Sequence, residues 1–148
     1  MQLQIKRLTD TAIIPQYAHD TDSGLDLHYD GNQVILPCAT KLILSTGISI
    51  QLPPSTEAQI RSRSGLAAKQ GLVVLNSPGT IDEGYTGEIK VILYNTSYEH
   101  VTINPGDKIA QLVICPVLRP WILEVDELKV TARGDKGFGS TGVHAHVE

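Results

Sequence analysis

Short segments of alternating apolar and polar residues, each closed by glycine, proline, asparagine or aspartate, run the length of this chain and fix its fold class. They place strands near Leu3–Lys6, Gln33–Leu36, Lys41–Ser45, Ile48–Leu52, Glu57–Arg61, Leu72–Leu75, Glu88–Tyr94, Val101–Ile103, Lys108–Pro116 and Ile122–Val125. Pro53-Pro54, Ser77-Pro78-Gly79 and Asn104-Pro105-Gly106 punctuate them, because proline removes a ladder donor and glycine admits the turn geometries. Many short strands at this spacing pack as two layers, so the chain reads as all-β, a jelly-roll-like β-sandwich. One segment reads as a helix, Ser64–Gly71, with Ser64 suited to the N-cap and Gly71 to the C′ position. From Thr131 onward the alternation stops and glycines accumulate. Residues 1–130 are therefore read as a single β domain and 131–148 as a mobile Gly-rich arm.

Composition narrows the function. The chain has 148 residues, 41% of them hydrophobic and 19% charged, which suits one globular domain with its own core. Apolar runs such as Leu112–Cys115 are far shorter than a bilayer requires, and Met1–Lys6 does not resemble a secretory leader. Cys38 and Cys115 lie in apolar stretches. They read as reduced and buried in a cytoplasmic protein, with a disulfide between them left open. The net charge of −4 argues against a long nucleic-acid partner, whose affinity rests on a broad basic surface. An anionic ligand should be small and held by a few groups.

Three segments carry candidate chemistry. Arg61-Ser62-Arg63-Ser64-Gly65-Leu66 leads into the helix, whose first N–H groups lack intrahelical partners, and with Arg63 it forms a potential phosphate site. Taken alone, a capped surface helix with solvated arginines fits the same residues equally well. Arg133-Gly134-Asp135-Lys136-Gly137-Phe138-Gly139-Ser140-Thr141-Gly142 lets successive backbone N–H groups converge on an anion. Phe138, the sole phenylalanine, suits stacking on a planar base more than a core role. Asn76 to Lys90 reads as turn, short strand, turn and longer strand, with Asp82 before a turn as either a solvated residue or a general base. Two weaker signals are Asp26 between Leu25 and Leu27, and Gln111 within an apolar strand, where an amide needs a partner. The scattered histidines and cysteines offer no zinc-ligand spacing, and no Walker loop is present.

Ser23-Gly24-Leu25-Asp26-Leu27, Arg63-Ser64-Gly65-Leu66-Ala67, Gly79-Thr80-Ile81-Asp82-Glu83-Gly84-Tyr85-Thr86-Gly87-Glu88, Gly106-Asp107-Lys108-Ile109-Ala110-Gln111-Leu112 and the Arg133–Gly142 segment occur in this order across nearly the whole chain. Together they resemble the five motifs of the trimeric dUTP pyrophosphatase family. The resemblance implies a jelly-roll subunit in a homotrimer, with each active site assembled from all three chains. It implies hydrolysis of dUTP to dUMP and pyrophosphate with Mg2+, by water attack on the α-phosphorus. This reaction would keep uracil out of DNA and supply dUMP for thymidylate synthesis.

By the same resemblance, Asp82 deprotonates the attacking water, while Arg63, Ser64, Gly65 and Gln111 bind phosphates. Asn76, Thr80 and Ile81 read uracil, and Tyr85 packs on the sugar and excludes a ribose hydroxyl. Asp26 holds water around Mg2+ without binding it directly. Lys90 is a further substrate contact. The arm closes over the substrate with Arg133, Phe138, Gly139 and Ser140. Two positions depart from the family pattern: Ser62 stands where a proline is common, and Gly84 where a second acidic residue is frequent.

Overall fold

The computed structural model describes residues 1–137. Met1–Leu118 form one compact unit, and the residues from Arg119 form a second, small one. The strands are β1 (Gln4–Arg7), β2 (Leu25–His28), β3 (Val34–Leu36), β4 (Lys41–Gln51), β5 (Thr56–Arg61), β6 (Leu72–Val74), β7 (Gly79–Ile81), β8 (Glu88–Asn95), β9 (Val101–Ile103) and β10 (Lys108–Pro116). Helix α1 spans Ser64–Gln70. Two four-stranded antiparallel sheets, ordered β1-β4-β8-β6 and β2-β10-β5-β7, make the sandwich, with β3 and β9 paired beside them. One apolar cluster draws on both sheets: Leu27, Ala58, Ile60 and Leu112 from the second face Leu44, Ile48, Ile89, Val91 and Leu93 from the first. The period-2 burial of β5 and β8 is the alternation seen in the sequence, one face in the core and one in solvent.

Three readings of the sequence change. Lys41–Ser45 and Ile48–Leu52 are one strand, β4, because Gly47 (φ +64°) is absorbed by an irregularity in the ladder between Ser45 and Ser49. Ile122–Val125 forms no strand among the described residues; it finds no ladder partner, and Trp121, Ile122 and Leu123 stand exposed. Cys38 is exposed, since it sits in the turn after β3, while Cys115 is half-buried on β10; both are free thiols. Among the described residues no helix is long and apolar enough to cross a membrane.

One irregularity shapes the site. Between β2 and β10 the register shifts between Lys108 and Ala110, so that Lys108 opposes His28, Ala110 opposes Leu27 and Gln111 opposes Asp26. Ile109 and Ala110 are both buried, leaving Lys108 and Gln111 on the outer side although they stand three positions apart. In an unbroken strand that odd spacing would send them to opposite faces.

Candidate active site

The outer ends of β2, β10 and β5 bring three of the sequence candidates together. Gln111 sits between Asp26 of β2 and Arg61 of β5 in the ladder, and the chain beyond Arg61 turns at Ser62 into α1. The half-buried Gln111 amide donates from Nε2 to the Ser62 carbonyl at 2.9 Å, which supplies the partner its apolar strand demanded. Gly24 permits this arrangement. A Cβ there would fall 2.4 Å from Gln111 Oε1, so any side chain would push the amide aside. Asp26, with a side chain only 14% exposed, meets Arg63 Nε at 3.0 Å through Oδ1 and Lys108 Nζ at 2.7 Å through Oδ2. Arg63 also donates from Nη1 to the Lys108 carbonyl at 3.4 Å.

The helix start differs from expectation. Arg63, with extended backbone, occupies the cap position, no side chain caps the helix, and Ser64 is its first residue. Ser62 does not cap it either, because its hydroxyl accepts the Val74 N–H at 2.8 Å and so ties the turn to β6. The exposed Ser64 and Gly65 therefore open the helix without an acidic residue or side-chain cap over their N–H groups. Gly71, in the left-handed region, ends the helix as the sequence implied. Asp26, Arg63, Ser64, Gly65 and Gln111 share one cavity of about 510 Å³. Asp26 and Lys108 also border a neighbouring cavity of about 580 Å³ with Arg7, Tyr17 and His28. The His28 Nδ1 is buried and unpartnered among the described residues. Burial, and then the Lys108 ammonium, hold the His28 imidazole below its usual pKa; Asp26 pulls the other way and Arg63 adds slightly to the lowering.

A second group lies elsewhere on the chain. The hairpin from Asn76 to Lys90 carries Thr80, paired with Gln59, and Ile81, paired with Ala58, on the edge strand β7. Asp82 follows, exposed, and among the described residues its carboxylate has no hydrogen-bond or ion-pair partner. The Asp82 carbonyl accepts the Tyr85 N–H at 3.0 Å, closing the turn. Tyr85 Oη donates to the Glu88 carbonyl at 2.9 Å, which lays the ring along the hairpin. Lys90 Nζ pairs with Glu88 Oε2 at 3.3 Å, and Asn76 Nδ2 lies close beside Gly79. From the ladder, Asp82 is three strand spacings across and four residues along from the level of Asp26, a backbone separation of roughly 19 Å. One chain therefore does not bring Asp82 to the Arg63 cavity.

Of the arm residues, Arg133 donates from Nε to the Lys136 carbonyl at 3.2 Å within the second unit. Phe138, Gly139 and Ser140 lie outside the described residues. Sequence reasoning assigned no role to Lys108 or His28, although Lys108 stands in a quoted motif. The signal that identifies them is the β2–β10 register, which places both beside Asp26 and which no local pattern contains.

The fold is an all-β sandwich that gathers an arginine, an amide and uncapped helix N–H groups around one cavity and carries an exposed carboxylate on a separate hairpin. Residues 10–142 match the model of the dUTPase family. The deoxyuridine 5'-triphosphate nucleotidohydrolase of Crocosphaera subtropica is 56% identical over 143 residues, covering 97% of this chain and all of that protein's length (100%). Its counterpart in Clostridium kluyveri is 56% identical over 142 residues, covering 96% of this chain and 99% of the relative. A mutant dUTPase of Staphylococcus bacteriophage 80alpha, solved with dUpNHpp, superposes with a TM-score of 0.86 at 30% identity, covering 96% of this chain and 99% of that one. A mutant dUTPase from phage phi11 of S. aureus, described for its coordination of a structural Mg(II) ion, has a TM-score of 0.80 at 28% identity, covering 88% and 100%. The chain belongs to the dUTPase family.

Proposed function

We propose that this chain hydrolyses dUTP to dUMP and pyrophosphate with Mg2+, in a homotrimer whose sites draw on more than one subunit. The observation that carries the reading is the division of the motif residues into two groups. Arg63, Ser64, Gly65 and Gln111 surround one cavity with Asp26, while the exposed Asp82 lies on a hairpin roughly 19 Å from Asp26. A hydrolase needs its base within hydrogen-bond reach of the attacking water. The two groups can meet only if a neighbouring subunit's hairpin faces this cavity. The second unit supports association as well: Trp121, Ile122, Leu123, Leu128 and Val130 are exposed, an apolar run that favours cover by another chain.

In this reading the triphosphate lies against Arg63 and the first N–H groups of α1, with the Gln111 amide toward the α-phosphate. The Asn76 and Thr80–Ile81 hairpin meets the edge of uracil, and Tyr85 lies along the sugar where a 2′-hydroxyl would otherwise fit. Lys90 adds a cation near the substrate. Asp82 takes a proton from water as the water oxygen bonds to the α-phosphorus. The bond from that phosphorus to the bridging oxygen breaks, and pyrophosphate leaves. Positioning and charge stabilisation supply most of the acceleration in such a displacement.

The donor set suits Mg2+ held indirectly. Both Asp26 carboxylate oxygens already meet cations, and among the described residues no group of three or more His, Cys, Asp or Glu could cage a metal. Mg2+ commonly keeps several waters and binds through one carboxylate and substrate phosphates, so Asp26 would orient those waters. When bound, the ion offsets the triphosphate charge and draws electron density from the phosphates. The arm, with Arg133, Phe138, Gly139 and Ser140, is the lid of this scheme, placing Phe138 on the base and Arg133 and Ser140 on the terminal phosphate.

The test is pyrophosphate release with Mg2+ from dUTP, dTTP, dCTP and UTP, measured separately. Release from dUTP alone supports both the reaction and the pocket. Equal release from all four removes the proposed selectivity, and none from a folded protein removes the reaction.

A further inference from the structure

We infer that Lys108 is a positioning residue that frees Arg63 for the substrate by holding Asp26 in its place. Asp26 and the substrate make conflicting demands on Arg63. Asp26 is nearly enclosed, and its two oxygens meet Arg63 Nε at 3.0 Å and Lys108 Nζ at 2.7 Å. Arg63 serves the triphosphate only if its guanidinium turns from Asp26 toward the phosphates. With one cation as its sole partner, the enclosed carboxylate would hold that cation tightly, since an unpaired charge is costly away from water. A second cation on the other oxygen removes the conflict. Asp26 remains paired when Arg63 leaves, and it shares its attraction between two partners while Arg63 is there.

The geometry separates Lys108 from the phosphate ligands. Lys108 borders the Arg7, Tyr17 and His28 cavity and shares a third cavity of about 490 Å³ with Arg63, but it does not border the one that Arg63, Ser64, Gly65 and Gln111 line together. The register shift at Ile109 places Lys108 on the same outer side as Gln111, so one strand supplies a ligand for the substrate and a partner for Asp26. The Lys108 carbonyl, 3.4 Å from Arg63 Nη1, gives the guanidinium a second tether whose loss costs no net charge. Lys108 is partly exposed, so its pair with Asp26 is of the modest kind found near surfaces.

The inference rests on reading Arg63 as a phosphate ligand, and its test separates the two. Calorimetry without Mg2+ gives the Kd of a non-hydrolysable dUTP analogue, and steady-state kinetics with Mg2+ gives KM and kcat. Lys108→Gln should weaken analogue binding about fivefold, the factor of one partly exposed ion pair, and raise KM by a similar factor with little change in kcat. Lys108→Arg should restore most of the affinity. In an Asp26→Asn background, where no carboxylate competes for Arg63, Lys108→Gln should change analogue binding by less than about twofold. An equal loss in both backgrounds would show that Lys108 touches the phosphates itself and would overturn the inference. So would unchanged analogue binding in Lys108→Gln. Arg63→Gln is measured beside them; if it binds the analogue normally, the reading of Arg63 fails instead.

Discussion

Two inactive variants of this protein should make an active mixture. Asp82→Asn removes the proposed base, and Arg63→Gln removes the main phosphate cation. If one chain supplied both groups to one site, every subunit of a mixture would be defective. The ladder geometry places Asp82 roughly 19 Å from Asp26, the ion-pair partner of Arg63, beyond the combined reach of the side chains involved. In the shared arrangement, a site takes its hairpin from one subunit and its cavity from another. After random assembly of equal amounts, a site needs an Arg63→Gln subunit at the first place and an Asp82→Asn subunit at the second. About one quarter of sites meet both conditions in a symmetric ring. The assay is pyrophosphate release from dUTP after the two variants are unfolded together and refolded, compared with each variant refolded alone. The mixture should reach about a quarter of wild-type activity per site, far above the sum of its parents. A control with the double variant and wild type fixes the yield of refolding. A mixture no more active than its parents would falsify the shared site and with it the role of the separated hairpin.

Four further outcomes are expected. Asp82→Asn alone should bind a non-hydrolysable analogue nearly as wild type while kcat falls about 10²- to 10⁴-fold, the usual contribution of a general base; near-normal turnover would take Asp82 out of that role. Tyr85→Ala should narrow the preference for dUTP over UTP, and Gly87→Ala should do so in the same direction, because a Cβ at 87 would stand 2.6 Å from Tyr85 Oη and displace the ring; an unchanged ratio in Tyr85→Ala places sugar selection elsewhere. Ending the chain after Thr131 should leave a folded protein with little activity, read by circular dichroism and pyrophosphate release, and full activity would show that the arm is no lid. Lowering the pH should weaken the fold through His28. Its folded pKa lies below the ordinary 6.5, so the unfolded chain binds more protons as pH falls through 6.5 toward the folded value, and stability is lost across that window. Denaturant midpoints should show this decline in wild type and a smaller one in His28→Gln, and equal slopes would refute it.

The sheets were legible because β5 and β8 each bury one face of a regular alternation, and that pattern is local. Val101–Ile103 and Lys108–Pro116 have the boundaries that their sequence implies. Gly47 misled because glycine marks a break and a bulge equally well, and only the ladder with β8 distinguishes the two. Leu25–His28 was seen as a carboxylate between leucines and not as a strand, since four residues carry too little periodicity; its partner β10 lies more than eighty residues away in the chain. Ile122–Val125 shows the reverse error, with strand-like residues that find no ladder partner among the described residues. At the site, Asp26, Arg63 and Gln111 were each singled out from the sequence, and the structure gathers them. What the sequence did not contain was how their charges are shared. Ser64 looked like the cap of α1, yet the backbone begins the helix at Ser64 and leaves its first N–H groups without a side-chain cap. That difference favours anion binding, because a serine that caps the helix occupies a donor that a phosphate could use.

The register shift in β10 makes the length of this strand a chemical variable. Because Ile109 is the additional residue, Lys108 and Gln111 face the same way, one toward each side of Asp26. Most substitutions within β10 alter one contact at a time. Loss of a single residue there would restore ideal pairing, improve the sheet as a sheet, and turn either the lysine or the glutamine into the apolar core. For this stretch of chain, regularity and chemistry are alternatives, and the fold has kept the irregular one.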